Sequence, residues 1–102
     1  MKNTVYCFRS SDADSTDYTN RLKGITQYIN EVAKKCGCPV NKEVSHNTYG
    51  GDYYIGGGLS AIDVTEYFET ISVENLPDGI EAIIRNLILD SDVDCAINGK
   101  LI

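Results

Sequence analysis

Three aspartates alternate with other residues in Asp90-Ser91-Asp92-Val93-Asp94, and this spacing is the first candidate for chemistry in the chain. Alternating carboxylates open calcium loops, where positions 1, 3 and 5 converge on one ion. The match stops there. Cys95 stands where such a loop needs glycine, and Leu101 where it needs a bidentate glutamate. The cluster also follows a stretch of helical periodicity, so its charge opposes the negative end of the helix dipole, and no Lys or Arg occupies that last turn. A solvated turn, or contact with a basic protein partner, accounts for it better than a bound cation.

Cys36-Gly37-Cys38 brings two thiols together at a helix end, a pair that a soft metal accepts. Tetrahedral zinc needs further ligands, and Cys7, Cys95 and His46 stand at no recognisable spacing from the pair, so a thiol or metal site at Cys36 and Cys38 is only a third reading. His46, the single histidine, adjoins Ser45, but no nucleophile elbow and no carboxylate at a useful offset accompany them. No enzyme activity, metal or cofactor is expected. Gly56-Gly57-Gly58 lacks the Lys-Ser/Thr pair and the spacing of a phosphate-cradling loop, and it reads as a flexible connector. Ile71 to Pro77 resembles the short ribonucleoprotein sequence that opens an RNA-recognition motif, but Ser72 takes the place of its stacking aromatic.

Tyr49, Tyr53 and Tyr54 surround Gly50-Gly51 and supply contact area with polar tips at little entropy loss. Together with Asp52, Glu66, Glu69 and the Asp90, Asp92, Asp94 cluster, they form the expected binding surface.

The elements that must position these residues follow from periodicity. Thr4 to Phe8 is rich in β-branched and aromatic residues and reads as a central strand. Asp14 with Asp17 resembles a capping box, and Tyr18, Leu22, Ile25, Ile29, Val32 and Cys36 then recur at helical steps, with Gly37 as a left-handed cap. Val44 to Ile55 reads as a hairpin turning at Gly50-Gly51. For residues 60–73 two readings compete. Ser60 with Asp63 and the spacing of Val64, Tyr67, Phe68 and Ile71 favour a helix, whereas the β-branching of Ile62, Val64, Thr65, Thr70, Ile71 and Val73 favours a strand. The helix is preferred because alternation fails at Tyr67-Phe68. Pro77 opens a final helix, with Ile80, Ile83, Ile84, Leu87 and Ile88 on one face, and Asn98-Gly99 turns a terminal hairpin.

This order describes an α+β domain, a small antiparallel sheet with two or three helices packed on it. With 60–73 as a strand it becomes βαββαβ, a ferredoxin-like sandwich. At 102 residues the chain suits one domain, residues 1–102, and no run approaches the roughly 20 apolar residues of a membrane span. The first residues do not resemble a secretory signal, so a cytoplasmic setting with reduced thiols is expected.

The net charge of −6 argues against direct nucleic-acid binding, which needs basic side chains to displace counterions. Residues 51–102 hold ten Asp/Glu against two Lys/Arg, so the excess lies in the second half. These features point to a small acidic non-enzymatic binding protein that occupies a basic surface, such as one that binds nucleic acid, on a protein partner as an inhibitor or adaptor. Size and charge are similar to those of phage-encoded inhibitors of bacterial defence systems. The alternative is a small-ligand or peptide-binding domain closed by the tyrosine hairpin.

Overall fold

A computed structural model describes residues 2–55 and 58–102, and the side chains of those outside 49–63. The chain forms β1 (Asn3–Ser11), α1 (Thr16–Lys35), β2 (Val40–Ile55), β3 (Gly58–Glu74), α2 (Asp78–Ser91), β4 (Cys95–Ile97) and β5 (Lys100–Leu101). The strands make one antiparallel sheet in the order β2-β3-β1-β4-β5. This is the βαββαβ sandwich with one short strand added, and β1 is central as its composition predicts.

Both helices cover the same sheet face. Tyr6 and Phe8 from β1, Ile71 and Val73 from β3 and Cys95 from β4 meet Leu22, Ile25, Ile29 and Ala33 of α1 and Ile84 and Ile88 of α2. Each large aliphatic buried here contributes about 1.5–3 kcal/mol relative to leaving it in water. The predicted stripes are shifted at two places. Ala33 is buried in α1 whereas Cys36 is exposed at the cap, and in α2 Ile83 faces solvent at 51% exposure.

Helix α1 is capped by Ser15, whose hydroxyl accepts the Tyr18 N–H, in place of the predicted Asp14 pairing. Asp14 instead accepts the Ser11 N–H at 2.6 Å and tightens the preceding turn. At the other end Gly37 has φ +68°, and the Cys38 and Gly37 N–H groups bond to Ala33 and Lys34, a Schellman arrangement. Asn98 (φ +50°) and Gly99 (φ +83°) make the terminal turn.

The preference for a helix over 60–73 is overturned, because these residues lie within β3. Alternation holds after Tyr67-Phe68: Ile71 and Val73 face the core, while Thr70 and Ser72 are half-buried opposite. It fails at the aromatic pair because both sheet faces carry an aromatic there, Tyr67 near His46 and Phe68 beside Cys7 on the face without helices. The hairpin at Gly50-Gly51 is corrected for the same reason. β2 runs on through both glycines, which pair with Asp63 and Ile62, and the chain reverses between Ile55 and Gly58. Once β3 is a strand, β2 pairs with it and does not need to fold on itself. The connector reading of Gly56 and Gly57 lies outside the described residues.

Candidate functional site

Strand β1 ends its pairing at Ser11 opposite Glu66, whereas β2 and β3 continue together to Ile55 and Gly58. Eight further residues per strand project as a two-stranded ribbon of about 27 Å at 3.4 Å per residue. The molecule is accordingly long, 55 × 23 × 21 Å, with a radius of gyration of 16.4 Å against about 13 Å for a compact chain of this length. Tyr49, Asp52, Tyr53 and Tyr54 belong to this ribbon, paired with Val64, Ala61, Ser60 and Leu59; their side chains lie outside the described residues.

The base of the ribbon is acidic because two segments from elsewhere in the chain end there. The loop after β1 brings Asp12, whose N–H bonds to the Thr65 carbonyl at 3.0 Å, and Asp14. The C-terminus of α2 brings Asp90, Asp92 and Asp94 to the same end. Tyr18 holds the last of these in place: its hydroxyl accepts the Asp94 N–H at 3.0 Å and donates to the Arg9 carbonyl at 2.6 Å. Asp90 and Asp92 are exposed and make no ion pair among the described residues, while Asp94 lies 3.5 Å from Arg9.

Glu66 and Glu69 play a different part from the one predicted. Arg9 on β1 grips Glu66 at 2.6 Å and holds its carboxyl below the usual range. Lys42 on β2 stands 2.6 Å from Glu69 in a Coulombic contact without hydrogen-bond geometry. These carboxylates, partnered across the sheet, are already neutralised, so the expected surface divides into an aspartate cluster in which Asp90 and Asp92 have no cation partner among the described residues, and an internally paired strand.

No Lys or Arg occupies the last turn of α2, as its sequence shows, and the compensating cation comes from another helix. Arg21, on α1, donates to the carbonyls of Ser91 and, at 3.2 Å, of Asp92, while also pairing with Asp17 and lying over the Tyr18 ring. Sequence spacing could not reveal a cation supplied from seventy residues away.

The thiols are dispersed. Cys36 is exposed, and Cys38 turns its sulfur toward the Asn75 carbonyl at 3.5 Å and packs against the core. Cys95 is buried, and burial with the nearby Cys7 pushes its thiol up to about 12. Among the described residues no three His, Cys, Asp or Glu side chains gather as a metal site would need. His46 sits on exposed β2 with its ring 6.5 Å from that of Tyr67. No helix among the described residues is long and apolar enough to cross a membrane.

Two hollows of about 340 Å³ escaped the sequence reading because their linings come from distant segments. One lies on the helix-free sheet face, between Cys7, Arg9, Phe68, Asp94, Ala96 and Leu101, the last 85% exposed. The other lies at the end of the molecule away from the ribbon, between Tyr6, the first turns of α2 and the Asn98 turn.

No family model and no curated protein matches the chain. Among solved structures it is similar to the de novo designed protein Ferredog-Diesel, at 11% identity over 95% of this chain and 84% of that one, with a TM-score of 0.54. It also aligns with the GlnK–ATP complex of B. subtilis, at 8% identity over 98% and 82% with a TM-score of 0.46. The periplasmic divalent cation tolerance protein CutA from Archaeoglobus fulgidus aligns at 10% identity over 88% and 72%, with a TM-score of 0.34. At such identities the resemblance concerns architecture alone: the chain is an α+β protein of the ferredoxin-like type.

Proposed function

We propose that the chain is a non-enzymatic binding protein that docks on a basic surface of a protein partner and acts as an inhibitor or adaptor. The observation that carries this reading is the acidic collar of Asp12, Asp14, Asp90, Asp92 and Asp94 around the base of a projecting ribbon. A two-stranded ribbon standing alone is marginal in water, so a segment of this length is stabilised when a partner covers it. Strand β2 is also a sheet edge, exposed throughout Val40–Thr48, and its outer side is open to a further strand. The carboxylates of this collar steer a basic partner toward this end, and the ribbon supplies the contact.

The test begins with capture of a partner from source-cell or host lysate, washed at low and then high salt. The association rate of the purified partner is then followed against ionic strength. The triple variant Asp90→Asn, Asp92→Asn, Asp94→Asn should associate more slowly, with a flatter salt dependence and unchanged folding. Wild-type rates in that variant, or capture indifferent to salt, would overturn the reading. A small-ligand role for the ribbon tyrosines stays as the alternative; melting-temperature shifts in a ligand screen that are lost on Tyr53→Ser would favour it.

A further inference from the structure

The Tyr6 side chain is fully buried, yet its hydroxyl has no hydrogen-bond partner. Buried polar groups are almost always satisfied, and one that is not calls for an explanation. Its ring is fixed by stacking on Phe8 at 6.5 Å, and the residue lines the hollow of about 340 Å³ formed with Asp78, Glu81, Ala82, Arg85, Ile97 and Asn98. That volume lies at the lower end of small-molecule sites.

Each lining group has a definite state. Glu81 is engaged on both oxygens: Lys2 holds Oε2 at 2.5 Å and Thr4 donates to Oε1 at 2.5 Å. Asp78 gives only Oδ1 to Lys2 and is otherwise open to solvent, leaving Oδ2 free to accept. Asn98 uses its Oδ1 on the Val5 N–H at 2.8 Å, so its amide nitrogen is left to donate. Arg85 makes no ion pair among the described residues. Burial, reinforced by the Glu81 charge, raises the Tyr6 phenol and keeps it a donor. The hollow therefore presents donors from Tyr6, Arg85 and Asn98, an acceptor on Asp78, and apolar contact from Ala82 and Ile97.

We propose that this hollow binds a neutral α-amino acid, its carboxylate taken by Arg85, Asn98 and the Tyr6 hydroxyl and its ammonium by Asp78. A zwitterion suits a lining that carries both signs. A phosphate dianion meets the Asp78 and Glu81 carboxylates, which share the single Lys2 ammonium and are only partly offset by it, and a bare amine leaves the three donors unanswered. The site lies at the end of the molecule opposite the ribbon, so it stands or falls independently of the protein-binding reading.

Titration of the full-length protein with L-leucine and L-alanine, followed by amide chemical shifts, tests it. Isovalerate, isoamylamine and inorganic phosphate serve as comparators. The amino acids should bind and shift the Tyr6, Glu81 and Asn98 amides, with isovalerate and isoamylamine each at least about tenfold weaker. Arg85→Met, at an exposed position, and Tyr6→Phe, which removes only the orphan hydroxyl, should each weaken binding about tenfold, and Tyr6→Phe should not lower the melting temperature. The proposal is overturned if no amino acid perturbs these amides up to about ten millimolar, a concentration that reveals even weak affinity. Preferential binding of phosphate or of isovalerate, or wild-type affinity in both variants, overturns it equally.

Discussion

The Tyr18 hydroxyl accepts the Asp94 N–H at 3.0 Å and, by also donating to the Arg9 carbonyl at 2.6 Å, ties the start of α1 to both the end of β1 and the aspartate loop. Tyr18→Phe removes both bonds while keeping the ring. The expected cost is about 1–2 kcal/mol in urea denaturation, with faster hydrogen exchange at the Asp94 amide. An unchanged exchange rate there would show that the loop is held by other contacts.

Arg21 answers two carbonyls at the C-terminus of α2, those of Ser91 and Asp92. Arg21→Met should destabilise the domain by about 1.5–3 kcal/mol, because charged hydrogen bonds and a favourable helix-dipole contact are lost together. Arg21→Lys should recover only part of this, since an ammonium lacks the guanidinium fork that reaches several acceptors. Equilibrium unfolding of the two variants compares them directly.

Asp92 adopts φ +52° and ψ +54°, the left-handed region that L side chains avoid. Asp92→Gly relieves that conformation and removes a carboxylate from the negative end of a helix, so it should stabilise the fold by about 0.5–1 kcal/mol. The same substitution should weaken partner association if the aspartates steer it. Thermal melts and association kinetics on this one variant therefore move in opposite directions.

Acid stability follows from the carboxylates held in ion pairs. Burial pushes the Glu81 carboxyl up, but hydrogen bonds from Lys2 and Thr4 outweigh it, and the net position is below the ordinary value of about 4.5. The bond from Lys2 lowers Asp78, and the bond from Arg9 lowers Glu66. A carboxyl depressed on folding contributes stability above its unfolded pKa and loses it as pH falls through the folded value. Stability should thus hold from neutral pH to about 4.5 and decline below. Glu81→Gln should flatten that decline in urea melts taken across the acid range.

The four thiols should alkylate in an order set by exposure. Cys36 is exposed, whereas Cys95 is buried with its thiol pushed up to about 12, chiefly by burial and then by Cys7. Iodoacetamide at mildly alkaline pH should label Cys36 first and Cys95 only after denaturant is added, as peptide mass spectrometry reads. Early labelling of Cys95 would mean that β4 detaches readily from the sheet.

Much of the architecture is legible in local patterns. The alternation in β1, the helical steps of α1 and α2, the cap at Gly37 and the Asn98-Gly99 turn each depend on residues within a few positions of one another. The acidity of the second half is legible too, being composition alone. Residues 60–73 were not decided at that level, because helix and strand signals coexist there and the outcome depends on β1 and β2 lying on either side to pair with β3. Gly50-Gly51 looks like a turn until that partner exists.

The candidate sites depend still more on distance in the chain. Glu66 and Glu69 look like free surface charge, yet Arg9 and Lys42 reach them across neighbouring strands. Tyr6 reads simply as a core aromatic, and only the meeting of β1 with α2 and the Asn98 turn leaves its hydroxyl unpartnered beside a hollow. The sequence by itself determined β1, the two helices, the cap at Gly37 and the overall charge, since these arise from neighbouring residues. Which charges cancel, which strand pairs with which and where a cavity remains were decided by tertiary structure, because each depends on groups brought together from far apart in the chain.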